Sequence, residues 1–387
     1  MALPVSEERS ELGRSLLERK AMTPDWVETF MAVPRAHFLP EVIWPYDMDS
    51  GTHVRVSWRE DPEAWHRYAD ADLPIVTQWD DGNSEAAGTV PTSSLSMPSV
   101  VFRMLSALDV EPGQRVLEIG TGTGWNAGLL ANRLGVDSVT TIEIDSNVAD
   151  AARDRLAAHG LMGMVLTRDG VLGDPAGAPY DRLIATAGLR QIPAAWIEQV
   201  RSRGVLVAPW GTHYSNADAI VRLVVDQQGA SGHFVGPVEF MKLRSQRLPF
   251  DGHSAYLSNG MDGADRSTTD VTEAELLGEG RFDPRTFALG LRVRDCYHSV
   301  AAKRDGARPV WFYGLEDHRS WACVMFRDGR EADVWQHGPR QLWDEVLEAL
   351  GWWHASDQPG HERFGLTVAT DGSQQAWLDS PEGAWPV

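Results

Sequence analysis

Apolar residues Leu12, Leu16 and Leu17 fall at helical spacing within residues 7–20, so the chain is predicted to open with an amphipathic helix. Thr23-Pro24-Asp25 reads as a second helix start, with Thr23 as the cap and Pro24 in the first helical position. That helix carries Trp26, Val27, Phe30 and Met31 and stops before Pro34. Between Tyr46 and Val90 the periodicity weakens into a stretch rich in Asp, Gly, Pro and Trp, with short strands predicted over residues 52–58 and 73–79. A segment of this length is usually either functional or disordered. Its aromatic residues and the one just before it (Trp44, Trp58, Trp65, Tyr68, Trp79) predict an ordered insertion or lid.

From residue 91 the rhythm becomes regular. Helices are predicted over 99–108, 125–134, 148–159 and 194–200, alternating with strands over 115–119, 138–144, 165–168, 180–186 and 205–209. Such alternation specifies an α/β fold with a doubly wound parallel sheet, covered on both faces and joined by right-handed crossovers. After about residue 245 the pattern changes. Strand-like pieces (287–293, 310–313, 320–326, 366–370, 376–378) surround one helix over 339–350, whose acids Asp344, Glu345 and Glu348 read as a solvated face. The expected organisation is therefore N-terminal helices with an inserted lid (1–92), an α/β core (93–245) and a C-terminal α+β domain (246–387). The eight tryptophans of that last part (Trp311, Trp321, Trp335, Trp343, Trp352, Trp353, Trp377, Trp385) read mainly as core, with peptide docking as a second use.

Length and composition bound the partners. A chain of 387 residues with 43% hydrophobic content can bury more than one core. Its formal net charge of -20 argues against a nucleic-acid partner. Cys296 and Cys323 are too few and too far apart for a zinc knuckle or a CxxC element, so no metal site is predicted and both read as packed, reduced thiols. Residues 1–20 lack a signal-peptide apolar core and no run has membrane-spanning length, so a cytoplasmic protein is expected.

The most informative segment is Glu118-Ile119-Gly120-Thr121-Gly122-Thr123-Gly124, where a buried strand breaks into a glycine loop and then a helix opening at Trp125-Asn126. Glycines permit the turn and close ligand approach. A dinucleotide site would space them GxGxxG; here they run GxGxG, and Glu118 places a carboxylate where pyrophosphate would be repelled. A cationic ligand without phosphate fits better, and S-adenosylmethionine carries a sulfonium and an ammonium group. Glu143, about 20 residues on, is placed for ribose hydroxyls, with Ile144 beside it and Asp145 a weaker candidate. Asp169-Gly170, after the third strand, can accept from an adenine amino group and allow its approach.

These residues resemble the protein-L-isoaspartate O-methyltransferase family. The likeness runs through residues 30–40 (with Val33-Pro34-Arg35), Ser93-Ser94-Leu95-Ser96-Met97-Pro98, the glycine loop, Asp169-Gly170, residues 178–187 and Ile192-Pro193. It implies a Rossmann-like class I methyltransferase core with S-adenosyl-L-methionine as cofactor and S-adenosyl-L-homocysteine as product. By position it implies Ser96 as the active-site residue. Ser94, Leu95, Glu118, Gly120, Thr121, Gly122, Gly124, Trp125, Asn126, Glu143, Ile144, Asp169, Gly170 and Thr186 are implied to hold the cofactor, and Ser93, Ser94, Ser96 and Ala187 the substrate. Without the resemblance, the serines read as caps of the helix at 99–108. His37, His53 and His66 read as structural or rim residues.

Two departures, the insertion over 46–90 and the long C-terminal part, resemble a branch that acts on ribosomally made, modified peptides of the graspetide and lanthipeptide kinds. That branch esterifies an ordinary Asp side chain, the ester closes to an aspartimide, and hydrolysis of the imide can give isoaspartate. The implied partner is a peptide or protein bearing Asp or isoaspartate. The alternatives are plain isoaspartyl repair and a non-catalytic cofactor-binding scaffold. RNA methylation is disfavoured by the charge and by the lack of a trap for exocyclic amines after the fourth strand, at Ala185-Thr186-Ala187-Gly188.

Overall fold

A computed structural model describes residues 7–47, 50–84, 87–248, 250–257, 260–317 and 319–387. The chain forms two compact units that do not follow the division at 92 and 245. The first holds Met1–Ala187, Pro193–Ala208 and Val224–Ala230; the second holds Gly188–Ile192, Pro209–Leu223 and Ser231–Val387. Among the described residues no helix is long and apolar enough to cross a membrane.

In the first unit, helix α1 (Pro98–Leu108) leads to strand β1 (Val116–Ile119), helix α2 (Trp125–Leu134), β2 (Val139–Glu143), α3 (Ser146–Ala158), β3 (Met164–Thr167), β4 (Tyr180–Ala185), α4 (Ala194–Gln199) and β5 (Val200–Trp210). The strands lie in the order β5-β4-β1-β2-β3, and every pair is parallel. All four β1 residues are buried, as expected for a strand covered on both faces. The order reverses at β1, which has β2 on one side and β4 on the other, so a crevice opens at the carboxyl ends of these strands. This is the α/β class the alternation predicts.

Ahead of the core, Glu7–Glu18 forms the expected first helix. The second starts as a 3-10 turn (Pro24–Trp26) before becoming α-helical over Val27–Ala32, and Thr23 gives it no side-chain cap. The region 46–90 is an ordered part of the unit where described. Val42–Asp47, Thr52–His53, Val56–Ser57, Ile75–Trp79 and Pro91–Leu95 make one antiparallel sheet. The strand expected over 52–58 is thus two short ones. An unexpected helix, Pro62–Ala69, begins at Asp61-Pro62, a sound helix start; the Asp61 carboxylate caps the Ala64 amide at 2.9 Å. The serines are not helix caps: Ser93, Ser94 and Leu95 lie in a strand, Met97 occupies the cap position, and Asp72 from the insertion accepts from the Ser99 amide at 2.8 Å.

The second unit carries another antiparallel sheet, ordered Asp265–Thr269, Ala332–His337, Trp321–Arg327, Ala307–Gly314 and Cys296–Val300. The strand expected over 287–293 is a helix, Pro284–Arg292. Phe287, Leu289 and Leu291 alternate like a strand, but Asp283 caps the Arg285 amide, Pro284 sits in the first turn, and the whole run 287–291 is buried. The pattern also misses two long strands, Asp218–Val225 and Gly229–Val238. Cys296 and Cys323 are free, buried thiols, each pushed up to about 12 by burial. Trp321, Trp343, Trp353 and Trp377 are core, whereas Trp311, Trp335, Trp352 and Trp385 are half-buried. On the helix Leu342–Ala355, Asp344 and Glu348 are exposed, but Glu345 is paired with Arg340 at 2.6 Å, so the acidic face is only partly free.

One buried cation organises the first unit. Arg35 is 2% exposed. Its Nη1 donates to the carbonyls of Ala69 and Ala71, both at 2.8 Å, and its Nη2 to those of Leu73 at 3.1 Å and Ser96 at 3.0 Å. The guanidinium also lies 5.3 Å from the centroid of the Trp125 ring. Truncating Arg35→Ala removes the donor from the Ala69, Leu73 and Ser96 carbonyls, while Ala71 keeps the Leu73 amide at 3.0 Å, and is expected to cost about 3–5 kcal/mol; urea unfolding monitored by tryptophan fluorescence checks it. Arg35→Lys should recover only part, because an ammonium cannot reproduce the planar fork.

Candidate active site

The crevice at the ends of β1, β2 and β4 gathers most of the residues singled out in the sequence. Gly120 closes β1 with φ of +98°, and its amide donates to the Ile142 carbonyl at 2.8 Å. A Cβ on Gly120 would stand 2.8 Å from Thr186 Oγ1, so only glycine lets the β4 end lie against the loop. Thr186 Oγ1 donates to the Gly120 carbonyl, fixing that contact. The serine strand passes over the same loop: the Ser94 carbonyl is 3.5 Å from where a Cβ on Gly122 would stand. Ser93 is buried and accepts from Thr77 Oγ1 at 3.2 Å. Ser96 is half-buried; its carbonyl is taken by Arg35, and its hydroxyl has no partner among the described residues.

Glu143 is held in place by backbone. Its Oε2 accepts from the Gly122 amide at 2.9 Å, and its Oε1 from Ile144 at 2.9 Å and Asp145 at 3.1 Å. Burial raises its pKa, opposed by these amides, while the Asp145 charge raises it further. It is therefore a fixed acceptor beside the loop and not a loose strand end. Asp145 is the cap of α3, accepting from Asn147 at 3.0 Å and Val148 at 3.2 Å. Asp169 is exposed and caps the turn Gly170–Leu172 through the Val171 amide at 3.0 Å. Gly170 is buried; a Cβ there would fall 2.5 Å from Ile119 Cγ2.

Five residues expected at the cofactor have side chains engaged with the protein itself. Glu118 is 0% exposed, with Oε1 accepting from Asn126 Nδ2 at 2.6 Å and Oε2 from Thr141 Oγ1 at 2.5 Å. Its carboxylate is sealed beneath the loop, and Asn126 spends its amide on it. Trp125 is buried among the N-terminal helices, where its indole donates to the Val33 carbonyl at 3.0 Å. Leu95 is 2% exposed and paired with Ile75, so its side chain is core. Thr121 is buried too, its hydroxyl 2.7 Å from Thr141 Oγ1. The cause is common: a segment that cradles a ligand must itself be held from behind, and alternate side chains do that work.

Leu172, absent from the expected site residues, follows β3 and is 64% exposed. With Ile144, 42% exposed after β2, it gives the neighbouring strand ends two bare apolar side chains suited to a flat base. Exposed leucine after a 3-10 turn carries no sequence signal. Of the histidines, His37 stacks on His159 at 4.1 Å, His53 sets its ring edge-on to Trp79 at 4.9 Å, and His66 packs on Trp65 at 5.1 Å.

Positive-φ glycines, a carboxylate fixed by backbone amides, two apolar strand ends and several further carboxylates fit S-adenosylmethionine. The class is that of Rossmann-like, S-adenosylmethionine-dependent methyltransferases. Residues 7–247 match the family model "Protein-L-isoaspartate(D-aspartate) O-methyltransferase (PCMT)". The chain is 33% identical over 208 residues to the protein-L-isoaspartate O-methyltransferase of Ignicoccus hospitalis, covering 53% of this chain and 82% of that one. It is 33% identical over 218 residues to that of Methylorubrum extorquens, covering 56% and 79%. A solved protein-L-isoaspartate O-methyltransferase structure superposes with a TM-score of 0.54 at 18% identity, over 96% of this chain and 100% of that one. The chain belongs to the protein-L-isoaspartate(D-aspartate) O-methyltransferase family. Since the structural likeness spans nearly the whole chain, a long C-terminal part does not by itself set this protein apart.

Burial pushes the Glu118 carboxyl up from 4.5 to about 7, against the pull of Thr141 and Asn126. Between those values the folded protein keeps a proton that the unfolded chain has lost. The stability it contributes is complete below about pH 4.5 and vanishes as pH rises through about 7. A cationic ligand favours the ionised form, so S-adenosylmethionine affinity is expected to rise with pH across the same range. Glu118→Gln should flatten both trends; the ligand-free melting temperature, expected to lose at least about 2 °C between pH 5 and 8 in the native protein relative to the variant, checks the first. Calorimetric titration of S-adenosylmethionine checks the second.

Proposed function

We propose that this protein methylates the side-chain carboxylate of an aspartyl residue in a ribosomally made, modified peptide, held as a macrocycle, and that the ester goes on to aspartimide or isoaspartate. The observation that supports this over general repair is the insertion. Ala69, Ala71 and Leu73 share the Arg35 guanidinium with Ser96, Asp72 caps α1, and Thr77 donates to Ser93. The wall a substrate meets in this reading is therefore partly fastened by residues 69–77, beyond the serine segment itself. The second unit, with its half-buried Trp311, Trp335, Trp352 and Trp385, is the candidate for docking the peptide.

S-adenosylmethionine, when bound, supplies an electrophilic methyl group and leaves as S-adenosylhomocysteine. An aspartyl carboxylate, with a pKa of about 4, is ionised at neutral pH and needs no general base. Ser96 is the catalytic residue in this reading: its free hydroxyl donates to one carboxylate oxygen and leaves the other to face the methyl group. Ser93, Ser94 and Ala187 line the substrate side. Ser94, Glu118, Gly120, Thr121, Gly122, Gly124, Glu143, Ile144, Asp169, Gly170 and Thr186 shape the cofactor side. The gain comes from alignment and exclusion of water. In the ester a neighbouring backbone nitrogen attacks the carbonyl carbon, methanol leaves, and the imide ring closes. Ser96→Ala is expected to lower kcat by about 10- to 100-fold, with S-adenosylhomocysteine affinity unchanged.

The family match across the serine segment favours isoaspartyl repair as the second reading. Mass spectrometry decides between them, using S-adenosylmethionine with an Asp-containing macrocyclic peptide and a linear isoaspartyl peptide. Added methyl mass followed by net loss of water, on the macrocycle alone, is the expected outcome. Methylation of the linear isoaspartyl peptide alone returns the protein to the repair class.

A further inference from the structure

The strand Ile75–Trp79 pairs with the serine strand Pro91–Leu95, but its register breaks twice, between Val76 and Gln78 and again between Gln78 and Trp79. Such irregularities re-aim a side chain, and they concentrate next to active sites. The residue between the two breaks is Gln78. Its Oε1 accepts from Thr92 Oγ1 at 2.9 Å, and its Nε2 donates to Asp145 Oδ2 at 3.2 Å across 67 residues of sequence. Thr92 Oγ1 in turn accepts from the Asp81 amide at 3.1 Å. On the far side, Asp145 caps α3 through its other oxygen, and its amide donates to Glu143, which receives the Gly122 amide. A continuous polar path therefore runs from the serine strand through Gln78 to the ribose acceptor and the glycine loop.

We propose that Gln78 is a positioning residue for methyl transfer: it locks the serine strand, which meets the substrate, to the Glu143 side of the cofactor site. The inference rests on the cofactor reading above. Gln78 suits the task because its amide is one planar group with an acceptor and a donor at opposite corners. It serves the Thr92 hydroxyl and the Asp145 carboxylate at once. Glutamate could keep the first bond but not the second, and would set a charge against Asp145. Room is limited as well, since a Cβ on Gly82 would stand 3.0 Å from Gln78 Nε2. The path also makes cofactor binding and closure of the inserted sheet mutually reinforcing: whatever steadies Glu143 steadies Asp145, and through Gln78 the strand above it.

The test is calorimetric titration of S-adenosylhomocysteine into the full chain, its Gln78→Ala, Gln78→Met and Gln78→Glu variants, and each of these in an Asp145→Asn background. Asparagine still caps α3 but no longer accepts from Gln78. Gln78→Ala and Gln78→Met are expected to weaken binding about tenfold and Gln78→Glu further, with melting temperatures close to the parent. In the Asp145→Asn background the loss from Gln78→Met should shrink below about twofold, since the partner is already gone. Unchanged affinity in Gln78→Met overturns the proposal, as does a fall in melting temperature with unchanged affinity of the folded protein, which would mark a merely structural residue. A parent chain that binds no S-adenosylhomocysteine overturns the cofactor reading itself, a result separable from failure of the variants.

Discussion

The structure around the active site depends on one buried guanidinium. Arg35 fixes four carbonyls that have no other reason to converge: three from the stretch that leaves the helix Pro62–Ala69, and one from Ser96. Buried carbonyls without donors cost as much as a lost hydrogen bond, so this turn of the insertion can lie against the core only if such a fork is present. Burial lowers the Arg35 pKa to about 9, countered by the charges of Asp70 and Asp72, which still leaves it protonated at neutral pH. Its face rests on Trp125, the first residue of α2, so the same side chain joins the N-terminal segment, the insertion, the serine strand and the helix that follows the glycine loop.

That dependence matters because the chemistry asks so little of individual groups. Moving a methyl group to a carboxylate requires no proton to be taken and no metal to be held, which leaves geometry and dryness as the main levers. A misplacement of the serine strand by an ångström is then as harmful as loss of a catalytic side chain. The fastening of the strand is correspondingly dense: Arg35 on Ser96, Thr77 on Ser93, Gln78 on Thr92, and Asp72 on the helix that follows. Three of these four come from the insertion.

The core was legible because its signals are local. Alternating apolar strands and amphipathic helices, a glycine loop, and an acid at the end of the next strand can each be read within a few residues, and β1 to β4 and α2 lie within two residues of their expected places. What was not legible is how side chains are shared between being near a ligand and supporting what is near it. Trp125 and Leu95 stand beside the right loops in sequence, yet strand alternation and helix phase turn them inward. Arg35 and Gln78 act over 34 to 67 residues of separation, a distance at which no periodicity speaks. The helix Pro284–Arg292 shows the opposite error, since its apolar residues at 287, 289 and 291 fit period two while its cap and proline already specified a helix.

The electrostatics explain why this loop belongs with a cationic cofactor and not a nucleotide phosphate. Glu118, Glu143, Asp145 and Asp169 all lie at the carboxyl ends of β1, β2 and β3 or just beyond them. Burial raises Glu118 and Glu143 alike, so ionising either carboxyl in the ligand-free site is unfavourable. A phosphate would add to that burden; a sulfonium and an ammonium relieve it. Because Glu118 stays beneath the loop, held by Asn126 and Thr141, its contribution comes without a direct contact. Such a group confers preference for charge while leaving the shape of the pocket to the glycines, Ile144 and Leu172. After transfer the sulfonium becomes a neutral thioether, so whatever attraction a carboxylate exerts on that positive sulfur disappears with the reaction itself.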